Sequence, residues 1–169
     1  MECLSGVQII TTVVVAFATV VIAFATLGQF LVNRSKLRLD LYNKRFAIYS
    51  NTLTLFQGVL TFSRSTASEE ERIKYDLLEK DFIRSYRESQ FLFKVESNVY
   101  QLLKEFFEKE FRIVRFRGQS ELFKQYTKDQ AVEAMNKNQA DLDWVLKFID
   151  LLEKNMEPYL NFQKAVSIW

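Results

Sequence analysis

The chain has 169 residues, 49% of them hydrophobic and 26% charged, with a formal net charge of +2. That near-balance argues against a nucleic-acid-binding domain, which normally carries a much larger basic excess. Histidine is absent altogether, which removes Ser-His and Cys-His nucleophile pairs, histidine general bases and histidine-bound zinc. With one proline and four isolated glycines there is no Gly-rich phosphate loop and little material for turns, so the expected fold class is all-α.

Residues 7–32 contain no charged side chain and are long enough to cross a bilayer as a helix. A cleaved signal peptide would have a basic start and a shorter apolar core, whereas residues 1–6 offer only Glu2 as a charged side chain. A spanning helix is therefore favoured over a signal peptide and over a soluble core helix. Thr11, Thr12, Thr19 and Thr26 can return their hydroxyls to carbonyls of the preceding turn. Cys3 has no intrachain partner, so no disulfide is expected; acylation and an intermolecular bridge are the functional alternatives to an ordinary interfacial thiol.

Every Lys and Arg lies from Arg34 onward, and Arg34, Lys36 and Arg38 follow the apolar run directly. Positive flanks stay cytoplasmic, so the expected topology is an external N-terminus (1–6), a transmembrane helix (7–32) and a domain on the cytoplasmic side. Those three cations are the candidate membrane-surface contacts. Residues 33–63 form the basic juxtamembrane segment and first bundle helix, residues 68–162 the remaining helices, and residues 163–169 a tail. The expected architecture is thus an antiparallel bundle of about four helices behind the anchor.

The first bundle helix places Leu39, Tyr42, Phe46, Tyr49, Leu53, Phe56 and Leu60 three and four apart, a heptad-like stripe. It reads as a core-facing surface, with a dimer seam as the alternative. With no Pro or Gly between them, span and first helix can be continuous. Ser68 and Glu71 form a capping box for a second helix carrying Ile73, Leu77, Leu78, Phe82 and Tyr86. The acidic run Glu69-Glu70-Glu71 fits the positive end of that helix better than it fits a metal site.

Ser97 is the expected cap of a third helix with Val99, Leu103, Phe106, Phe107, Phe111 and Val114, closing near Gly118. Its end interleaves aromatics with Arg112, Arg115 and Arg117, the one place where a nucleic acid has a foothold, although dipole complementation and core packing explain the pattern better. Thr127 and Gln130 form a second capping box. The helix after it repeats Ala131, Met135, Asn138, Leu142, Val145, Ile149, Leu152, Met156 and Tyr159, and Pro158 should end or kink it. Asp141 and Asp143 point to different sides of a helix and cannot chelate as a pair. No cofactor and no catalytic residue is expected.

Three stretches then carry a resemblance: Leu39-Asp-Leu-Tyr-Asn-Lys-Arg-Phe-Ala-Ile-Tyr49, Glu88-Ser-Gln-Phe-Leu-Phe93 and Glu157-Pro-Tyr-Leu160. In this order behind a membrane span, they resemble a broad group of small bacterial single-pass membrane proteins of unknown function. That likeness implies an inner-membrane protein with a helical cytoplasmic domain, and no enzyme activity follows from it. Within these stretches Lys44, Arg45 and Glu88 are the candidate partner or ligand site, unless they clasp two helices together. The function expected is a non-enzymatic membrane-tethered interaction or regulatory module that binds a protein partner or self-associates. The alternative is a membrane-acting effector, for instance in phage defence, that oligomerises through its anchor.

Overall fold

A computed structural model describes residues 2–118 and 126–161. The expected tail, residues 163–169, and the Cys3 side chain lie outside the described residues. Four α-helices and one 3-10 turn make up those residues: α1 Glu2–Thr61, α2 Glu69–Leu92, the 3-10 turn Val95–Ser97, α3 Val99–Gly118 and α4 Lys128–Leu160. The fold is all-α, and α1 is one helix from the apolar run into the bundle. By compactness the chain divides into two units, Met1–Leu41 and Tyr42–Trp169.

The first unit is a helical stretch with its described side chains exposed or, at Arg34, Arg38 and Leu41, partly so. It holds a stretch long and apolar enough to cross a membrane, with none of that stretch buried in the protein. Thr12, Thr19 and Thr26 donate to the carbonyls of Gln8, Val15 and Ile22, each at 2.8 Å, which satisfies the hydroxyls within the helix.

In the second unit residue pairs define an antiparallel order. Asn51 reaches Ser85 of α2 at 2.9 Å, while Gly58, a helical turn or two later, lies against Tyr75. Phe82 of α2 meets Phe106 of α3 edge-on at 5.4 Å, and Phe106 stacks on Phe148 of α4 at 4.4 Å. Tyr49 of α1 donates to Glu153 of α4 at 2.6 Å, which closes the bundle. Phe82, Phe106 and Phe148 are fully buried, and their contacts join three helices at the centre of the core.

Both capping boxes form. Ser68 N–H donates to Glu71 Oε2 at 2.8 Å and Glu71 N–H to Ser68 Oγ at 3.3 Å; Thr127 and Gln130 repeat the arrangement at 3.0 and 3.4 Å. Two helix ends differ from expectation. Ser97 closes the 3-10 turn, and Asn98 in the left-handed region (φ 54°) separates it from α3, so α3 starts at Val99. Pro158 sits inside α4, which runs on to Leu160; this close to the end the ring removes one backbone bond without stopping the helix.

The α1 stripe is corrected by one position. Ile48, Thr52, Leu55 and Val59 fill the core, whereas Phe46 is 49% exposed and Leu60 38%. Small residues explain the rotation: a Cβ on Gly58 would stand only 3.2 Å from the Tyr75 ring, so α2 approaches α1 where no bulk intervenes. The bulky stripe is displaced to the flank. On α2 the inward positions are Tyr75, Phe82, Ser85 and Ser89, with Ile73 and Leu77 outside. On α4 they are Asp141, Val145, Phe148, Leu152 and Met156, so of the expected stripe Val145, Leu152 and Met156 are buried and Met135 is exposed.

Candidate functional site

The bundle's most unusual chemical feature is a carboxylate in its core. Glu110 falls four residues after Phe106 and three before Ile113, on the inward face of α3, and is only 2% exposed. Its Oε1 accepts a hydrogen bond from the Tyr75 hydroxyl at 2.5 Å, and its Oε2 has no partner among the described residues. Burial pushes the Glu110 carboxyl up to about 7; the Tyr75 bond and Arg64 oppose the rise, and Glu79 adds to it. Glu79 is itself raised by burial and by Asp76. Tyr75 is driven far above the ordinary phenol range by burial and then by Glu110.

Glu110 lines a cleft of about 380 Å³ with Arg64, Tyr75, Glu79, Phe111, Val114, Arg115 and Gly118. Tyr75 also borders a second cleft of about 500 Å³ between the end of α1 and the start of α2, whose lining includes Thr54, Thr61, Ser63, Thr66 and Lys74. Phe62 stacks on the Tyr75 ring at 4.1 Å, and Arg117 Nη1 donates to the carbonyls of Val59 and Phe62 at 2.5 and 3.1 Å. Those bonds tie the last turn of α1 to α3 and hold Tyr75 over Glu110. The arrangement can exchange a proton near neutral pH and can accept one hydrogen bond at Oε2.

The residues singled out from the sequence are not brought together as a site. Arg45 Nε donates to the Leu92 carbonyl at 3.0 Å, and its guanidinium stands 5.0 Å from the Tyr159 ring centre and 5.9 Å from that of Phe93. Desolvation lowers its pKa. Glu88 pairs instead with Arg84 on its own helix at 3.1 Å, and Lys44 is exposed. The expected contact between Arg45 and Glu88 is therefore replaced by a three-helix clasp of Arg45, the Leu92–Phe93 segment and Tyr159.

Asp141 is the second charged core residue. Arg112 grips it at 2.7 and 2.9 Å and Lys109 reaches it at 3.3 Å, so the carboxyl is held below its usual range, chiefly by the Arg112 bond. Lys109 also lies 5.0 Å from the Trp144 ring centre. Asp143 is exposed and receives Gln139 at 2.9 Å, so the two aspartates do part as expected. Arg112 and Arg117 are thus engaged within the bundle, and Arg115 lines the Glu110 cleft. Lys36 is exposed and Arg34 and Arg38 are partly so. Among the described residues no group of three or more acidic or cysteine side chains is placed to hold a metal ion.

Glu110 and Tyr75 escaped the sequence reading, and Asp141 was weighed there only as half of a chelating pair, although a signal existed. Each occupies a position that continues an apolar spacing: Glu110 in the series 99, 103, 106, 113, Tyr75 seven before Phe82, and Asp141 four before Val145. No protein-family model, curated protein or solved structure matches this chain.

Proposed function

We propose that the chain is a non-enzymatic interaction or regulatory module tethered to the bacterial inner membrane, its bundle on the cytoplasmic side. The observation that carries this reading is the apolar run in α1, where Phe17 and Phe24 are each 71% exposed and none of the stretch is buried among the described residues. Leaving that much apolar surface in water is costly, and a bilayer removes the cost. The cluster of Arg34, Lys36 and Arg38 supports the cytoplasmic orientation.

The test is carbonate extraction of the full chain combined with reporter fusions at both ends and pull-down of the detergent-solubilised protein. The expected results are membrane retention, a cytoplasmic C-terminus and specific co-purification. Release by carbonate overturns the tether, and a periplasmic C-terminus overturns the orientation. Loss of membrane potential on expression would move the assignment to the membrane-acting effector.

A further inference from the structure

Residues 46–63 contain no charged side chain, in a chain where one residue in four is charged. Core positions explain only the inward half of that stretch. The outward half of α1 here is equally neutral: Ser50, Thr54 and Gln57 are exposed, with Phe46 and Leu60 beside them. By contrast the outward face of α2 carries Glu69, Glu70, Lys74, Asp76, Lys80, Asp81, Arg84 and Arg87. Depletion of charge with retained aromatic and aliphatic bulk marks the centre of a protein interface rather than an ordinary solvated surface. The Thr54 hydroxyl is already spent on the Ser50 carbonyl at 2.9 Å, so drying this face strands little polarity.

We propose that this face is a self-association seam, occupied by the same face of a second copy of the chain running parallel to the first. The choice of occupant rests on three features. Phe46, Leu53 and Leu60 recur every seven residues, the spacing that keeps a seam aligned along a supercoiled parallel partner and that drifts only about 20° per repeat on a straight helix. In a two-fold contact each seam residue meets its own counterpart, so a charge there would repel itself; the face has none. Finally, and resting on the tethered reading above, an anchor presents every copy in the same direction, which makes parallel pairing the available geometry. A different partner would be free to match charges and would require neither neutrality nor the repeat of seven.

The test uses the full chain in its native membrane, with Cys3→Ser removing the natural thiol and Leu53→Cys or Leu60→Cys placed on the seam. Mild oxidation should give a disulfide-linked dimer at both positions and none at the exposed α2 position in Lys80→Cys. Monomer only at 53 and 60, equal cross-linking at 80, or an adduct with a different protein overturns the proposal. Gln57→Glu provides a second measurement on an exposed site: it should weaken the dimer by about tenfold or more in detergent sedimentation at neutral pH, with the helical melting curve unchanged. An unaltered dimer overturns the seam. Carbonate extraction of the same samples separates the two readings: retention without a cross-link removes the seam alone, and a cross-link without retention removes the tether alone.

Discussion

The Tyr75 hydroxyl and Glu110 Oε1 stand 2.5 Å apart inside the bundle, each nearly without access to water. One bond joins α2 to α3 and occupies half of the carboxyl. The unpartnered Oε2 makes the ionised form costly, and that cost raises the carboxyl to about 7.

A pH dependence of stability follows. Because the folded pKa lies above the unfolded one, the native state binds the proton more tightly across that interval, so stability falls as pH rises from about 5 through 7 and then levels. The ceiling is about 3 kcal/mol. No histidine titrates in this window, Glu79 acts with the same sign, and the lowered Asp141 matters only in more acidic solution, where its stabilisation is lost. Denaturant midpoints at pH 5 and pH 8 should differ in this direction, and Glu110→Gln should flatten the difference. A profile unchanged by that substitution would place the titration elsewhere.

Asp141→Asn should destabilise the bundle by about 2–3 kcal/mol, because two cations lose the charge they are folded around. Chemical denaturation followed by circular dichroism measures it. A loss below about 0.5 kcal/mol would mean that Arg112 and Lys109 are content with water.

The corrected face of α4 separates two substitutions. Phe148→Ala removes a buried ring stacked on Phe106 and should cost about 3–5 kcal/mol. Met135→Asp, at a position 57% exposed, should stay within about 0.5 kcal/mol although it lies in the stripe expected from spacing. Equal costs would restore the original stripe as the core face.

Among the described residues every buried one lies between Ile48 and Met156. A fragment comprising Tyr42–Trp169 should therefore remain helical and melt cooperatively without detergent. Amide exchange would report protection at Leu103 and Phe148; its absence would assign the apolar stretch a part in folding.

Helix existence, both capping boxes and the apolar run were legible in the sequence because each rests on local chemistry. The threonine back-bonds were equally readable. Facing was less so. On α1 two sets of residues three and four apart lie side by side, and the bulkier set drew the assignment, whereas packing buries the set that includes Thr52, next to Gly58, where the Tyr75 ring of α2 comes close. Glu110 and Asp141 were hidden for a related reason: a charged residue reads as surface until its partner is known, and Tyr75 and Arg112 lie about thirty residues away in the chain. Arg45 was singled out as a partner or ligand residue, whereas its contacts are a carbonyl and two rings, and a carbonyl leaves no mark on residue identity.

Gly58 has a consequence that reaches beyond packing. A methyl group there would sit 3.2 Å from the ring whose hydroxyl serves Glu110, so the neighbour would have to yield by a few tenths of an ångström. Any such yielding weakens the phenol's bond to Glu110, one of the influences that hold the carboxyl's pKa down, so its proton affinity rises further from that of an ordinary glutamic acid. The missing side chain at position 58 thereby acts as a calibration: the clearance between the first two bundle helices is registered as acidity in the third.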